Sequence, residues 1–438
     1  MSPVRRRLSP TDRTILGLAV PALGTIAIDP VLTMVDTAFV ARVGTQQLAA
    51  LGVAAAILSF AFFAFNFLAF ATTPLVARAL ATGDTQKAAG FVGSAVFLVG
   101  VLGVVMTGLV FGLSPLLVGF MGAEGEVADL AVSYLRIRSF ATMAVLMVLT
   151  GHGAFRGHKD TRTPFKIAVA INAVNLVLDP ILIFGLGWGL QGAAWGTVVG
   201  QWVGALWFLV LVRRKGMAIM PRRLKESLPA IITLGRNGAL LTTRSAFLLF
   251  TFAVAASTAT RLGAFEIAAH QLVYQVFMLA VMVADALEIS GQALVGEEAG
   301  QGSEESVGAL VRRLLGWAVA VGALLLVVVW LARPVFGVLT DDPAVVALAT
   351  SAAAVAAVIL PVGALVFTSD GVFSGLLAFG TMAMSTAAGA LVAVSLLWWS
   401  PLRNSLEGVW WGIGVFLAVR GLVFVVRYRS AVAAALRA

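Results

Sequence analysis

The sequence predicts an all-α polytopic membrane protein, with twelve transmembrane helices in two pseudo-symmetric six-helix lobes. Three observations carry that prediction: the composition, the spacing of the charged loops and an internal repeat. Of 438 residues, 60% are apolar and 12% charged, and the mean hydropathy is +0.99. Soluble domains carry about 25% charged residues, so the apolar excess must face hydrocarbon. The 45 glycines agree with close helix packing in a bilayer. There is no cysteine, so disulfides and thiolate chemistry are absent.

A spanning helix needs about 20 mostly apolar residues. Reading from one charged loop to the next gives stretches at approximately 15–40, 48–74, 90–118, 128–152, 167–187, 190–212, 237–260, 266–292, 314–332, 344–368, 372–398 and 408–427. Turn chemistry alone divides the fifth from the sixth, through Gly185, Gly187, Gly189 and Gly192. The first stretch is too long, and too acidic with two Asp, for a cleaved signal peptide. Of the 30 Lys and Arg, 22 fall at the N-terminus, in the even-numbered loops and in the C-terminal tail; Arg42, Arg261, Arg333 and Arg403 fall in the opposite loops, and Arg136, Arg138, Arg244 and Arg420 within spans. The net charge of +9 therefore reads as topology rather than as a nucleic-acid site. The positive-inside rule places both termini in the cytoplasm of a multi-pass protein of the plasma (inner) membrane.

Sliding the chain by 219 residues aligns Arg42-Val-Gly-Thr-Gln-Gln-Leu-Ala-Ala50 with Arg261-Leu-Gly-Ala-Phe-Glu-Ile-Ala-Ala269, and brings Leu75-Val76 onto Leu294-Val295. A shift of 218 matches Gly153, Phe155 and Gly157 to Gly371, Phe373 and Gly375; one of 216 matches Gly192, Trp195 and Gly196 to Gly408, Trp411 and Gly412. Six spans per half give both halves the same orientation, the parallel-repeat arrangement of secondary transporters. The predicted organisation is an N-terminal lobe over 1–212, a basic cytoplasmic linker over 213–236 and a C-terminal lobe over 237–438. Enzyme chemistry has no visible machinery: there is no Walker A sequence, no His-Glu-x-x-His, no Gly-x-Ser-x-Gly, and only His152, His158 and His270. A channel filter needs a ring of equivalent groups, whereas the first-span acids have no counterpart in the second lobe. Transport is the remaining class, with no cofactor and no resident metal.

Ionisable groups inside spans are costly and are functional candidates by default. The first lobe carries Asp29, Asp36 and Asp179. Asp29 and Asp36 lie two helical turns apart, and Asn175 and Asp179 lie one turn apart, so each pair shares a face. Tyr134, Thr197 and Gln201 add hydroxyl and amide partners. Two carboxylates in low dielectric disfavour carrying both charges, so such a cluster would take up a proton. Competing readings are that Asp36 caps the outer end near Arg42, and that Asp29 satisfies backbone freed by Pro30 and Pro21. The second lobe carries Arg244, His270, Asp285, Glu288 and Asp370; Arg244 is expected to pair with an acid of its own lobe and His270 to be a packing residue.

The stretch Pro21 to Val53, with Val35-Asp36-Thr37-Ala38-Phe39-Val40 and Leu48-Ala49-Ala50-Leu51-Gly52, resembles the first helix and loop of multidrug and toxic compound extrusion (MATE) transporters. Gly151-His-Gly-Ala-Phe-Arg-Gly-His-Lys-Asp-Thr-Arg-Thr-Pro164 is similar to the family's motif after span four, and Tyr134-Leu-Arg-Ile-Arg138 and Asn175-Leu-Val-Leu-Asp-Pro180 resemble the DinF-like branch. The resemblance implies two six-helix lobes around a central cavity and cation-driven export of small organic, often cationic compounds. It implies proton coupling at Asp36 and Asp179, with Asn175, Tyr134 and Thr197 in the hydrogen-bonding network. Span seven has no acid, unlike the family branch that uses Na⁺ there, so the resemblance favours H⁺ as the coupling ion and leaves Na⁺ at the first-lobe oxygens as the alternative. Alternating access is expected from a monomer in the lipid bilayer, with the first span bending at Pro21 or Pro30. The substrate cavity is expected to include Asp29, Phe62, Phe65 and Arg244. The alternative is a related flippase for a lipid-linked or polyanionic substrate, which Arg244 would suit.

Overall fold

The structure, a computed structural model, describes residues 9–63, 65–219, 224–301 and 303–437. Its elements are helices α1 (Pro10–Ala41), α2 (Thr45–Phe63), α3 (Phe67–Ala81), α4 (Thr85–Phe120), α5 (Gly125–Ser139), α6 (Thr142–Gly157), α7 (Arg162–Pro180), α8 (Gly189–Arg214), α9 (Leu224–Leu262), α10 (Ala264–Gln301), α11 (Glu304–Ala332), the single turn α12 (Phe336–Leu339), α13 (Pro343–Gly375), α14 (Phe379–Trp399) and α15 (Leu406–Arg437). No strand occurs among the described residues. The all-α membrane class holds: ten of these helices are long and apolar enough to span a bilayer, and eleven when the bent pair α5–α6 is one span. In α4 the most apolar window has a mean hydropathy of 2.5, yet only 22% of it is buried. A helix apolar all round but buried on one side is built for lipid.

Two predicted stretches differ in form. The second, 48–74, meets two helices, the 19-residue α2 and the 15-residue α3, instead of one. The helical ladder gives way around Phe65 and Asn66, where Phe65 N–H bonds Phe62 O at 2.9 Å and Leu68 N–H bonds Phe65 O at 3.0 Å. The fourth, 128–152, is bent by 51° between α5 and α6. Carbonyls freed there find donors on neighbouring helices: Thr107 Oγ1–H donates to Ser139 O at 3.1 Å, and Trp202 Nε1–H to Phe140 O at 2.9 Å. A kink inside a membrane persists only when its backbone groups are satisfied in this way. The eleventh stretch begins later than its predicted 372, at Phe379, because α13 continues to Gly375. The segment read as a linker, 213–236, contains the end of α8 and the first turns of α9, with 220–223 outside the described residues.

The chain divides into two compact units, Gly24–Gly238 and Met1–Leu23 with Ala239–Ala438. Helix α1 thus contributes to both, and the division falls between Pro21 and Pro30. In the second unit, Asp12 of α1 is almost fully buried and accepts from Arg313 Nε at 2.5 Å, from Arg313 Nη2, and from Trp317 Nε1 at 2.9 Å. This ties the start of α1 to α11 within that unit.

The repeat recurs in atomic detail. On α6, Gly153 lies against Ala69 and Thr72 and Gly157 against Val76; on α13, Gly371 lies against Glu288 and Gly375 against Val295. Each member of the second set stands 218 or 219 residues beyond its counterpart. Small residues four apart let the helix backbones touch. The turns that follow match as well. Lys159 and Leu377, 218 apart, both have φ 58°, and they are the only non-glycine residues in that left-handed region among those described. Asp160 N–H then bonds Phe155 O at 2.9 Å, and Ala378 N–H bonds Phe373 O at 2.8 Å.

Candidate functional site

The first unit encloses a cavity of about 470 Å³, lined by Thr33, Asp36 and Thr37 of α1, Leu51, Ala55, Leu58, Ser59 and Phe62 of α2, Tyr134 and Arg138 of α5, Ile171, Asn172 and Asn175 of α7, and Thr197 and Gln201 of α8. On every helix these residues recur at intervals of three or four, so one face of each helix supplies the wall.

Asp179 is fully buried at the edge of this cavity, and Asn175 is 4% exposed. Asn175 Nδ2–H donates to Asp179 Oδ1 at 3.3 Å and to Thr197 Oγ1 at 3.3 Å, while Thr197 Oγ1–H donates to Ala193 O at 3.0 Å. The carboxyls of Asp36 and Asp179 lie within hydrogen-bonding reach of each other. Asp36 Oδ1 and Asp179 Oδ2 are buried with no hydrogen-bond partner. Two ionised carboxylates cannot bond one another, whereas one proton between them supplies the missing donor. Directly after Asp179, the helix passes through Pro180 into a π-helical turn, Ile181–Gly185. Pro180 has no N–H to donate, and insertions of this kind cluster at functional sites.

Five of the residues singled out from the sequence therefore come together: Asp36, Asp179, Asn175, Tyr134 and Thr197 form one constellation. Phe62 lines the cavity. Phe65 packs instead against Leu68, Val99 and Leu146. The side chain of Asp29 lies outside the described residues. Pro21 and Pro30 both sit within continuous helix.

Two contributors were not assigned a role from the sequence. Arg138 lines the same cavity, within hydrogen-bonding reach of Tyr134, one turn earlier on α5; its Nε and Nη1 are buried without a partner. Its presence inside a span is the signal that could have found it. Gly196 of α8 packs directly on Asp179, and a methyl group there would collide with Oδ1. Gly196→Ala is expected to cost about 1–3 kcal/mol by overpacking and to displace the carboxyl, with transport reduced roughly tenfold or more. Gly100→Ala, on α4 with open space around it, is the neutral comparison in a melting and transport assay.

In the second unit, Arg244 is not a free cavity charge. Its Nη2 donates to Asp370 Oδ2 at 2.6 Å, and Arg420 Nη2 donates to the same oxygen at 2.6 Å. Asp370 and Arg420 are wholly buried, with the Arg420 guanidinium 5.4–5.9 Å from the rings of Phe367, Phe416 and Phe424. Glu288 and Asp285 also act electrostatically on Arg244, and Glu288 Oε1 accepts from Gln292 Nε2 at 3.4 Å. His270 packs between the rings of Tyr274 and Trp410. Among the described residues, no three His, Asp or Glu are grouped to hold a metal ion.

Outside the spans, His158, Asp160 and Lys215 line a second opening of the first unit. Burial opposes ionisation of Asp160, but the Thr163 N–H and Oγ1–H bonds, at 2.9 and 2.6 Å, and Lys215 at 3.6 Å outweigh it and hold the carboxyl below its usual range. Burial lowers the His158 imidazole below its ordinary value.

Comparison with known proteins agrees with this arrangement. The MatE family model matches residues 21–181 and 242–399. The chain is 31% identical over 425 residues to Protein DETOXIFICATION 44, chloroplastic, of Arabidopsis thaliana, covering 93% of this chain and 80% of that one. It is 28% identical over 428 residues to the DNA damage-inducible protein F of Escherichia coli, covering 95% and 91%. It is 27% identical over 354 residues to a probable multidrug resistance protein NorM of Thermotoga maritima, covering 76% and 73%. The bent form of the Vibrio cholerae MATE transporter VcmN superposes with a TM-score of 0.90 at 20% identity, covering 98% of each chain. With a family model spanning both repeats, and with helix and glycine contacts repeated in register, the chain belongs to the MATE family of membrane transporters.

Proposed function

We propose that this multidrug efflux transporter is a proton-coupled antiporter, with Asp36 and Asp179 sharing the coupling proton. The observation that carries the proposal is the carboxyl pair, Asp179 fully buried and Asp36 half-buried on the cavity wall, within bonding reach and with one buried, unpartnered oxygen on each side. When the pair is ionised it attracts an organic cation into the cavity. When a proton enters, that attraction falls and the substrate leaves. Asn175, Thr197 and Tyr134 hold the two carboxyls in register, and α1 bends at Pro21 or Pro30 as the protein alternates its access. The charge bias of the loops supports cytoplasmic termini. The cavity and its carboxyl pair come from one chain, so a monomer suffices.

Arg138 favours a second reading, in which the substrate carries a negative group. Arg244 no longer supports it, since Asp370 neutralises that side chain. The test is dye export from proteoliposomes under an imposed pH gradient and, separately, a Na⁺ gradient, with ethidium and fluorescein as cationic and anionic cargo. Ethidium export driven by the pH gradient alone is expected. Export driven by Na⁺ alone overturns the coupling assignment, and export of fluorescein but not ethidium overturns the cationic cargo.

A further inference from the structure

The second unit carries a groove of about 620 Å³ on its surface, between α11, α13 and α15. Its wall is apolar at helical spacing: Val311 and Leu315 on α11, Val362, Leu365 and Val366 on α13, and Phe424 and Val425 on α15. Phe373 and Phe424 stack with centroids 4.6 Å apart and separate the groove from the buried Arg420. From Gly421 to Arg429 the groove follows α15 for about 12 Å, and from Val362 to Phe373 it follows α13 for about 16 Å. That is about half of a 30 Å hydrocarbon core, the depth of one leaflet.

One end of the groove is polar. Glu304 and Glu305 stand in the first turn of α11, Arg312 lies two turns further along, and Tyr428 and Arg429 sit in the last part of α15. None of the four charges makes an ion pair among the described residues. Arg312 Nη1 and the Tyr428 hydroxyl close over Gly308, at 3.4 and 3.9 Å from where a Cβ would stand. The bare backbone of Gly308 leaves room beneath them. Two guanidinium groups and a phenol suit a phosphate oxygen; two adjacent carboxylates suit a primary ammonium. An apolar trough one leaflet deep, with a cationic and an anionic subsite together at its interfacial end, is complementary to a whole amphiphile.

We propose that this groove binds one phospholipid of the ethanolamine class, with its phosphate on Arg312, Arg429 and Tyr428, its ammonium on Glu304 and Glu305, and an acyl chain along α13 and α15. The full-length protein, stripped of lipid in detergent, is titrated with dioleoyl phosphatidylethanolamine, phosphatidylcholine and phosphatidylglycerol, and bound lipids are counted by native mass spectrometry. One ethanolamine lipid is expected to be retained, preferred about tenfold over the other two, as charge-assisted hydrogen bonds permit. An R312Q/R429Q variant is expected to lose tight binding of all three, and an E304Q/E305Q variant to keep binding but lose the preference for the ethanolamine lipid. G308L, which fills the mouth and leaves every charge in place, is expected to behave like R312Q/R429Q. Equal numbers of all three lipids on the wild type, tight binding that survives R312Q/R429Q, or a preference that survives E304Q/E305Q, overturns the proposal. Melting temperatures measured without lipid separate lost binding from lost fold.

Discussion

An Asp179→Asn variant is expected to export nothing above leak under a pH gradient, while folding and melting as the wild type does. The amide preserves size and keeps a partner for Asn175, but it cannot exchange the proton that the carboxyl pair shares. The fold should tolerate the change because it already does so once. In the second unit Gly412 lies against Leu397, in register with Gly196 against Asp179, and Leu397 is 1% exposed. The niche accepts an uncharged side chain of similar reach, so the carboxylate is there for its charge. Asp36→Asn is expected to show the same loss. Export driven by the pH gradient gives the decisive readout: if Asp179→Asn retains it, the shared-proton site is wrong, and a variant that fails to fold is recognised by its melting curve.

The largest loss of stability is expected at Asp370. This single buried carboxylate faces both Arg244 and Arg420, and Arg420 has no exposed surface. Removing one partner of a buried ionic group strands the others in low dielectric, at a cost of about 3–5 kcal/mol. Asp370→Asn should therefore lower the melting temperature sharply in detergent. Replacing Asp370 and Arg420 together by apolar residues of similar volume should recover much of the loss, because the desolvation of both charges is removed with them. An Asp370→Asn variant that melts with the wild type would show that Glu288 and Asp285 already balance the two guanidinium groups.

The spans, the repeat and the first-unit constellation were legible because each rests on local spacing. Apolar runs set the helices, and Asn175 with Asp179 shares a face by arithmetic alone. What was not legible depended on contacts distant in sequence. Asp370 and Arg244 are 126 residues apart and Asp370 and Arg420 are 50 apart, so no periodicity links them. The break at Phe65 and Asn66 lies within a mostly apolar run in which Asn66 is a single polar residue, too slight a signal to mark a break that the turn bonds reveal. Gly196 was visible as a repeat marker, but its contact with Asp179 required the α7–α8 crossing. Arg138 was visible within a span and gained meaning only when α5 turned it toward the cavity. The division of α1 between the two units follows from Asp12 docking on Arg313 and Trp317, a pairing across some 300 residues.

The apolar occupant of the Gly412 niche has a thermodynamic consequence. With an acid in one niche and Leu397 in the other, the proposed mechanism imports one proton per cycle. One proton entering for one monocation leaving moves no net charge, so the membrane voltage does no work, and each pH unit sustains about a tenfold substrate gradient. A cargo of no net charge would also draw on the voltage, about 2.3 kcal/mol per 100 mV, which is roughly fiftyfold more. A dication would have to climb the same field, so accumulation ratios should fall as the charge on the cargo rises.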